Sequence, residues 1–257
     1  MPSKFEELRK IVGDRVAIAF SGGVDSATLA ALCRKWGIEA IAVTVKTDLM
    51  AARDLENAKR VAEEIGIEHV IVEVAVPDAV LENTPQRCYY CKKTIIKAIK
   101  DVAESRGFRV IDGTNADDLK DFRPGLKALE EEGVISPWAM AGFTKKEIRR
   151  VAKSLGLSVH NRPSNSCLAT RIPFGERIEV EWLRRIEGAE EAVIDIIGER
   201  RIRVRKYGKN AAVEIEGIEE INDKKLEAIE SILKKLGFES ITFSESKTES
   251  KTFFCNR

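Results

Sequence analysis

Ser21-Gly22-Gly23-Val24-Asp25-Ser26 follows directly on the apolar run Val16–Phe20 and leads into a helix-forming segment, Ala27–Trp36. A short β-type run, paired glycines between serines and a helical stretch spell out a strand, a tight turn and a helix. The glycines place no side chain between backbone and ligand, and they admit φ values closed to other residues. Their N–H groups, with those of the helix N-terminus behind them, form an anion cradle. Ser21 and Ser26 add hydroxyl donors, and Asp25 can hold a divalent cation between phosphate oxygens. The first strand is therefore expected to present a site for a nucleotide polyphosphate. The plain alternative is a turn of small residues, because Gly and Ser are frequent turn formers.

The cradle is neither a Walker A loop nor a dinucleotide G-x-G-x-x-G fingerprint, since neither pattern occurs here. In its strand–turn–helix setting the hexapeptide resembles the PP-loop of the ATP pyrophosphatase superfamily. That resemblance implies an α/β fold of the adenine nucleotide α-hydrolase type, a parallel sheet flanked by helices. It also implies ATP cleaved between its α and β phosphates. ATP would be bound by Ser21, Gly22, Gly23, Val24, Asp25 and Ser26, with Mg2+ at Asp25.

The rest of the front half agrees with such a sheet. Ala40–Val45, His69–Val74, Arg109–Asp112 and the short Val134–Ser136 read as strands. Between and after them lie the helical patterns Ala51–Ile65, Tyr89–Ser105 and Thr144–Leu155, the last with the capping-box pair Thr144 and Glu147. Strands alternating with helices imply βαβ units, whose ligands sit at the carboxyl ends of the strands. Near residue 160 the pattern changes. His160–Arg177 is rich in Asn, Pro, Ser and Gly and reads as a long functional loop. Beyond it come a helix (Glu181–Ile197), a hairpin (Arg201–Lys206 and Ala211–Ile215), a second helix (Ile218–Leu236) and a strand at Phe238–Phe243. The expected division is a PP-loop domain over 1–172 and a smaller α+β domain over 173–257, ending in a polar, mobile tail from Ser244.

Lys and Arg (43) nearly balance Asp and Glu (42) over 257 residues, so no global basic field argues for nucleic acid. The charged amino terminus has no apolar core of a signal peptide, and no run approaches the ~20 apolar residues of a membrane span. A cytoplasmic protein without a membrane partner is expected. One third of the residues are charged and Gln86 is the sole glutamine, a bias typical of thermophiles.

Five cysteines point to metal ligation or catalysis rather than disulfides in such a chain. Cys88 and Cys91 form a C-x-x-C in Arg87-Cys-Tyr-Tyr-Cys-Lys92. Alone, that motif fits a redox pair, half a zinc site or part of an iron–sulfur site. Cys167, in the polar loop Pro163–Arg171, offers a third thiolate. Three thiolates suit a [4Fe–4S] cluster with one iron left open; the structural alternative is a Cys3His zinc site using His160. Cys33 reads as a small buried hydrophobe, and Cys255 has no partner spacing.

Taken together, SGGVDS, RCYYCKK, the stretch from Gly113 to Leu157, and PSNSCLATRIPFGERI resemble the LarE family of ATP-dependent sulfur transferases, from about Arg15 to Ile215. In that family ATP adenylates a carboxylate on a pyridinium mononucleotide. Sulfur then displaces AMP, giving a thiocarboxylate for the nickel-pincer nucleotide cofactor. One branch sacrifices a single cysteine at the position of Cys167. The other, which this chain resembles, holds a [4Fe–4S] cluster on three cysteines and passes on a sulfide. The resemblance implies catalytic roles for Asp25, Cys88, Cys91 and Cys167, a small nucleotide substrate, a sulfide donor and a homo-oligomer. It implies substrate-phosphate binding by Arg203 and Arg205, which alternate with Arg201 along one strand face. Arg171 either joins them or forms a local salt bridge. Asn115, Asp117 and Asp118 match the family's G-T-N-A-D-D. Trp36, Trp138 and Trp182 are expected in core or interface.

The chain departs from the family after its last strand, where Ile241–Ser250 replaces the usual D-L-x-G-Y-R-x-G-S. That leaves the acceptor and the subunit contacts open. Three rival readings remain: a tRNA thiolase with a three-cysteine [4Fe–4S] centre, an ammonia-using PP-loop synthetase, and a zinc-stabilised nucleotide-binding protein. Balanced charge and the lack of an RNA-binding module count against the first.

Overall fold

The computed structural model describes residues 3–120, 124–163 and 165–246; Cys255 and the end of the expected tail lie outside them. Backbone contacts divide the chain into two compact units. One takes in the described residues up to Pro77 together with 86–163, and the other takes in 78–85 together with 165–246.

The first unit opens with helix α1 (Lys4–Val12), closed at its N-terminus by the Ser3/Glu6 capping box. Four parallel strands follow: β1 (Arg15–Ala19), β2 (Glu39–Lys46), β3 (Glu68–Glu73) and β4 (Arg109–Ile111), in the order β3-β2-β1-β4. The helices of this unit are α2 (Val24–Lys35), α3 (Ala52–Ile65), α5 (Arg87–Glu104), α6 (Pro124–Glu131), α7 (Pro137–Met140) and α8 (Lys145–Ser154), with α4 (Asp78–Leu81) lying in the other unit. The central strands β1 and β2 are buried on both faces, as expected of a sheet covered twice, whereas edge strand β3 leaves Ile71 exposed. Val16, Ile18 and Ala42 pack with Leu29 and Cys33 of α2, Val61 of α3 and Ile148 of α8. Their neighbours Ala17, Ile41 and Val43 turn the opposite way, onto Ile99 and Ala103 of α5.

The expected α/β architecture is therefore present, with shifted ends. Helix α2 begins at Val24, three residues earlier than its apolar pattern, so Val24, Asp25 and Ser26 form its first turn. Helix α5 begins at Arg87, which puts Cys88 in its first turn and Cys91 at the start of its second. The expected strand Val134–Ser136 is a single bridge, Ile135 to Ile111, because the chain turns into α7 at Pro137.

The second unit holds a three-stranded sheet, β5 (Ile202–Tyr207), β6 (Asn210–Ile215) and β7 (Ile241–Glu245), with helices α9 (Val180–Ile197) and α10 (Asp223–Lys235). The first two strands form the expected hairpin, with Tyr207 paired to Asn210 and Gly208 at φ +59° in the turn. Helix α10 starts later than its apolar pattern because Asn222 caps it, and a 3-10 turn occupies Ile218–Glu220. The segment 78–85 is tied into this unit by buried Asn83. Its side-chain amide donates to the carbonyls of Pro173 and Glu176, both at 2.8 Å.

Candidate active site

The hexapeptide forms the link from β1 into α2, at the carboxyl end of a central strand. Gly22 is at φ +67°, and a Cβ there would lie 2.6 Å from the Cα of Ala58 in α3. Glycine is thus required both by the turn and by the closeness of α3. The Asn57 side-chain amide fixes the turn by donating to the Gly22 carbonyl at 2.9 Å. Ser26 Oγ accepts from the Ser21 N–H and donates to the Gly23 carbonyl, each at 3.3 Å. The two serines therefore hold the loop shape. The first N–H groups of α2 have no intrahelical acceptor and are the donor set an anion takes.

Asp25 is enclosed by the loop after β4. Gly113 makes this approach possible: a Cβ there would be 3.0 Å from the Ser26 nitrogen and 3.2 Å from Asp25 Cβ. The loop is braced by buried Asp112, which accepts from the Thr114 N–H (3.1 Å), Thr114 Oγ1 (2.6 Å) and Ser136 Oγ (2.7 Å). Asn115 donates from Nδ2 to Asp25 Oδ1 at 3.4 Å, and Trp138 donates from Nε1 to the Asp25 carbonyl at 3.1 Å. Trp138 is thus a core residue that also supports the site. Lys145, first residue of α8, places its ammonium against Asp25 Oδ2. Burial raises the Asp25 carboxyl above its usual range; the Lys145 charge and hydrogen bond oppose this, and the Asp118 carboxylate adds to it. Asp117 accepts from the Lys145 N–H at 2.9 Å, and Asp118 from the Asn115 N–H at 3.0 Å. Asn115, Asp117 and Asp118 therefore shape the corner that receives Lys145 and Asp25.

Sequence reading missed Lys145. Its signal was its place immediately after the Thr144 cap, at the start of a helix opposite the cradle. Gly113 was missed for a similar reason: the strand end announced a turn, not its closeness to α2.

In the second unit, Cys167 is exposed and precedes a 3-10 turn, Leu168–Arg171. Its carbonyl accepts from the Thr170 N–H (3.0 Å) and Oγ1 (2.9 Å). Arg171 and Glu190 form an ion pair at 2.7 Å, with side-chain exposures of 0% and 2%. The remaining Arg171 donors reach the Ser166 carbonyl and hydroxyl, Thr170 Oγ1 and Asn165 Oδ1. Arg171 is thus spent on holding the Cys167 loop. Arg205 pairs with Glu214 at 2.7 Å and donates to the Thr170 carbonyl at 2.9 Å. The Arg203 side chain is buried and makes no hydrogen bond or ion pair among the described residues. Burial, then the like charges of Arg171, Arg201 and Arg205, lower its guanidinium to about 10, with only Glu214 opposing. Such a cation is prepared for an anion.

Cys88 and Cys91, three residues apart in α5, are half-buried and belong to the first unit. Their thiolates, and that of Cys167, are the donor chemistry an iron–sulfur cluster takes. Among the described residues no three His, Cys, Asp or Glu are grouped as a metal site. His160 engages the Leu157 carbonyl through Nδ1 at 2.9 Å. Cys33 is buried in the core, where desolvation pushes its thiol up to about 12. Among the described residues no helix is long and apolar enough to cross a membrane.

Comparison with known proteins places these features. The family model described as asparagine synthase matches residues 9–103. A protein of Synechocystis sp. named only as uncharacterized is 36% identical over 94% of this chain and 93% of its own. The pyridinium-3,5-bisthiocarboxylic acid mononucleotide synthase of Lactiplantibacillus plantarum is 30% identical over 78% of this chain and 74% of its own. A tRNA-specific 2-thiouridylase of Rickettsia canadensis is 29% identical over 60% of this chain and 54% of its own. A parallel sheet that delivers SGGVDS to the mouth of its helix, with these relatives, makes the chain an ATP-dependent sulfurtransferase of the PP-loop ATP pyrophosphatase class. Within that class it belongs to the LarE family.

Proposed function

We propose that the enzyme converts a carboxylate of a small phosphorylated nucleotide into its acyl adenylate and then replaces AMP by sulfide, as in nickel-pincer nucleotide formation. The observation that carries this reading is the cradle at the start of α2, where a helix N-terminus, the half-buried Asp25 carboxylate and the Lys145 ammonium share one corner. A carboxylate substrate is ionised at pH 7, so its attack on the α-phosphate needs no strong base. It needs in-line positioning and neutral surroundings for phosphate charge. Ser21–Ser26 would bind the leaving phosphates through backbone N–H groups, Asp25 would hold Mg2+, and Lys145 adds a second cation. Arg203 and Arg205 would take the substrate phosphate. Arg171 supports them by fixing the loop and adding positive charge.

Cys88, Cys91 and Cys167 would hold a [4Fe–4S] cluster, which when bound supplies an open iron position for sulfide. The first unit is assigned to activation. The second unit, which carries Arg203, Arg205 and the Cys167 loop, is assigned to substrate phosphate and to contacts of a homo-oligomer, with the enzyme cytoplasmic and free sulfide or a cysteine-derived sulfide as donor.

The test is anaerobic purification with added iron and sulfide, followed by iron and labile-sulfide assay of wild type and Cys167→Ala. Pyrophosphate release is measured in parallel, with ATP and pyridinium-3,5-dicarboxylate mononucleotide. Wild type is expected to retain iron and release pyrophosphate. Asp25→Ala is expected to keep its iron and lose pyrophosphate release. Wild type without iron would remove the cluster from the reading. Undiminished pyrophosphate release by Asp25→Ala would remove the cradle.

A further inference from the structure

Helix α8 carries charge that the adenylation reading does not use. An open cleft of about 540 Å3 runs beside it, lined chiefly by Lys145, Lys146, Arg149, Arg150, Lys153 and His160. The cations divide into two groups. Lys145 meets Asp25, and Arg149 donates to the carbonyls of His160 (2.7 Å) and Arg162 (2.8 Å). Those bonds fix the 3-10 turn Ser158–Asn161 as a wall of the cleft. The wall is pinned again from α3, where Glu64 accepts from the Ser158 N–H at 2.8 Å. Lys146, Arg150 and Lys153 form the second group. They are exposed, and among the described residues their side chains make no hydrogen bond or ion pair.

This contrasts with other lysines of the same unit, where Lys46 pairs with Glu73 and Lys100 with Glu132. The one acid of α8, Glu147, is taken by the Thr144 cap and by Lys4, which with their hydrogen bonds hold it down to about 2. Lys146, Arg150 and Lys153 stand at i, i+4 and i+7, hence on one helix face. Their Cα positions rise over about 10 Å. Among the described residues no Phe, Tyr, Trp or branched aliphatic side chain lines the cleft, so no apolar anchor for a peptide stands there.

We infer that the cleft binds a linear chain of phosphates, with two or three consecutive groups meeting Lys146, Arg150 and Lys153. This holds whether or not the adenylation chemistry does, because Lys146, Arg150 and Lys153 have no part in that chemistry, although Lys145 and Asp117 also line the cleft. The same chemistry is offered by a free oligophosphate and by the phosphodiester backbone of single-stranded RNA, and two probes separate them.

The full chain is titrated with inorganic tripolyphosphate and with a ten-nucleotide oligouridylate at 50, 100 and 200 mM salt. Wild type is compared with the triple variant Lys146→Ala/Arg150→Ala/Lys153→Ala and with Arg150→Gln. At least one probe is expected to bind wild type about tenfold more tightly than the triple variant. The variant's log–log salt slope is expected to be shallower by about 1.4–2, at roughly 0.7 per phosphate contact for a single strand. Arg150→Gln is expected to lose about threefold, which covers the case of a poorly folded triple variant. Binding of tripolyphosphate alone assigns a free oligophosphate; binding that requires the oligonucleotide assigns a nucleic-acid backbone. Equal affinities of wild type and Arg150→Gln for both probes, at every salt concentration, would overturn the inference.

Discussion

Replacing Lys145 by methionine would strand the carboxylate of Asp25. The two side chains retain 30% and 20% exposure, so the pair is only partly desolvated. Breaking a fully buried pair costs about 3–5 kcal/mol, and residual solvent access reduces this to about 2–3 kcal/mol here. Asp25→Asn removes the stranded charge, so the double variant Asp25→Asn/Lys145→Met is expected to recover most of the loss, a coupling of about 2 kcal/mol. Urea unfolding followed by tryptophan fluorescence reads this, aided by the bond from Trp138 Nε1 to the Asp25 carbonyl. With a slope of about 2–3 kcal/mol per molar, the Lys145→Met midpoint falls by about 1 M.

The pH dependence has a definite sign. Burial raises the folded pKa of Asp25 above its usual 3.8, so between those values the native state binds the proton and the unfolded state does not. Stability from this group therefore falls as pH rises through the folded pKa and is regained on acidification. Without Lys145 the folded pKa rises further, so the Lys145→Met penalty is largest at neutral pH and shrinks toward pH 4. Additivity of the two substitutions within about 0.5 kcal/mol would refute the coupling. A penalty that grows on acidification would refute its electrostatic origin.

Four further outcomes are expected. Gly22→Ala costs about 1–2 kcal/mol for its left-handed backbone and about 1–3 more for overlap with Ala58. Gly37→Ala, at φ +69° with open space around it, pays only the first part; the two are compared by thermal or urea unfolding. Arg171→Met leaves the buried Glu190 carboxylate without its guanidinium, costing about 3–5 kcal/mol, and Arg171→Met/Glu190→Leu restores most of it by the same measurement. Arg203→Gln is expected to leave stability unchanged or slightly raised, since it removes a buried cation without a partner, while raising the KM for a phosphate-bearing substrate at least about tenfold. Alkylation at pH 8, mapped by mass spectrometry, is expected to label Cys167 readily and to spare Cys33, whose thiol near 12 is buried, until the protein unfolds.

Local chemistry made much of this legible in the sequence. Val16–Phe20 is apolar on both alternating faces, which marks a strand covered on two sides, and Gly22-Gly23 after it demands a turn before a helix. The Thr144/Glu147 pair fixed the start of α8 correctly because a capping box is satisfied within four residues. What escaped depended on contacts between distant segments. The approach of Gly113 to Ser26 joins the ends of neighbouring strands β4 and β1 that are remote in the chain, and the role of Lys145 depends on a carboxylate 120 residues away. The hairpin arginines were expected on one face, but alternation could not reveal that Arg203 is buried without a partner while Arg205 is engaged by Glu214. Nor could it reveal Glu190, whose carboxylate also accepts from the Val204 N–H at 3.1 Å and so joins the Cys167 turn to β5.

The allegiance of 78–85 to the second unit has a consequence for how this enzyme can be taken apart or inherited. The chain leaves the first unit after Pro77, returns at Gln86 and leaves again after residue 164. Termination after residue 164 would take away the carbonyls of Pro173 and Glu176 that accept from Asn83, and the N–H of Gly175 that donates to it. A fragment beginning at Asn165 would lack the Leu81 carbonyl that accepts from the Ile178 N–H at 2.7 Å. No single cut therefore yields two whole pieces. A gene fusion that appended the second unit as one continuous cassette would omit the segment 78–85 with its helix α4, so the units are expected to be gained, lost and recombined together.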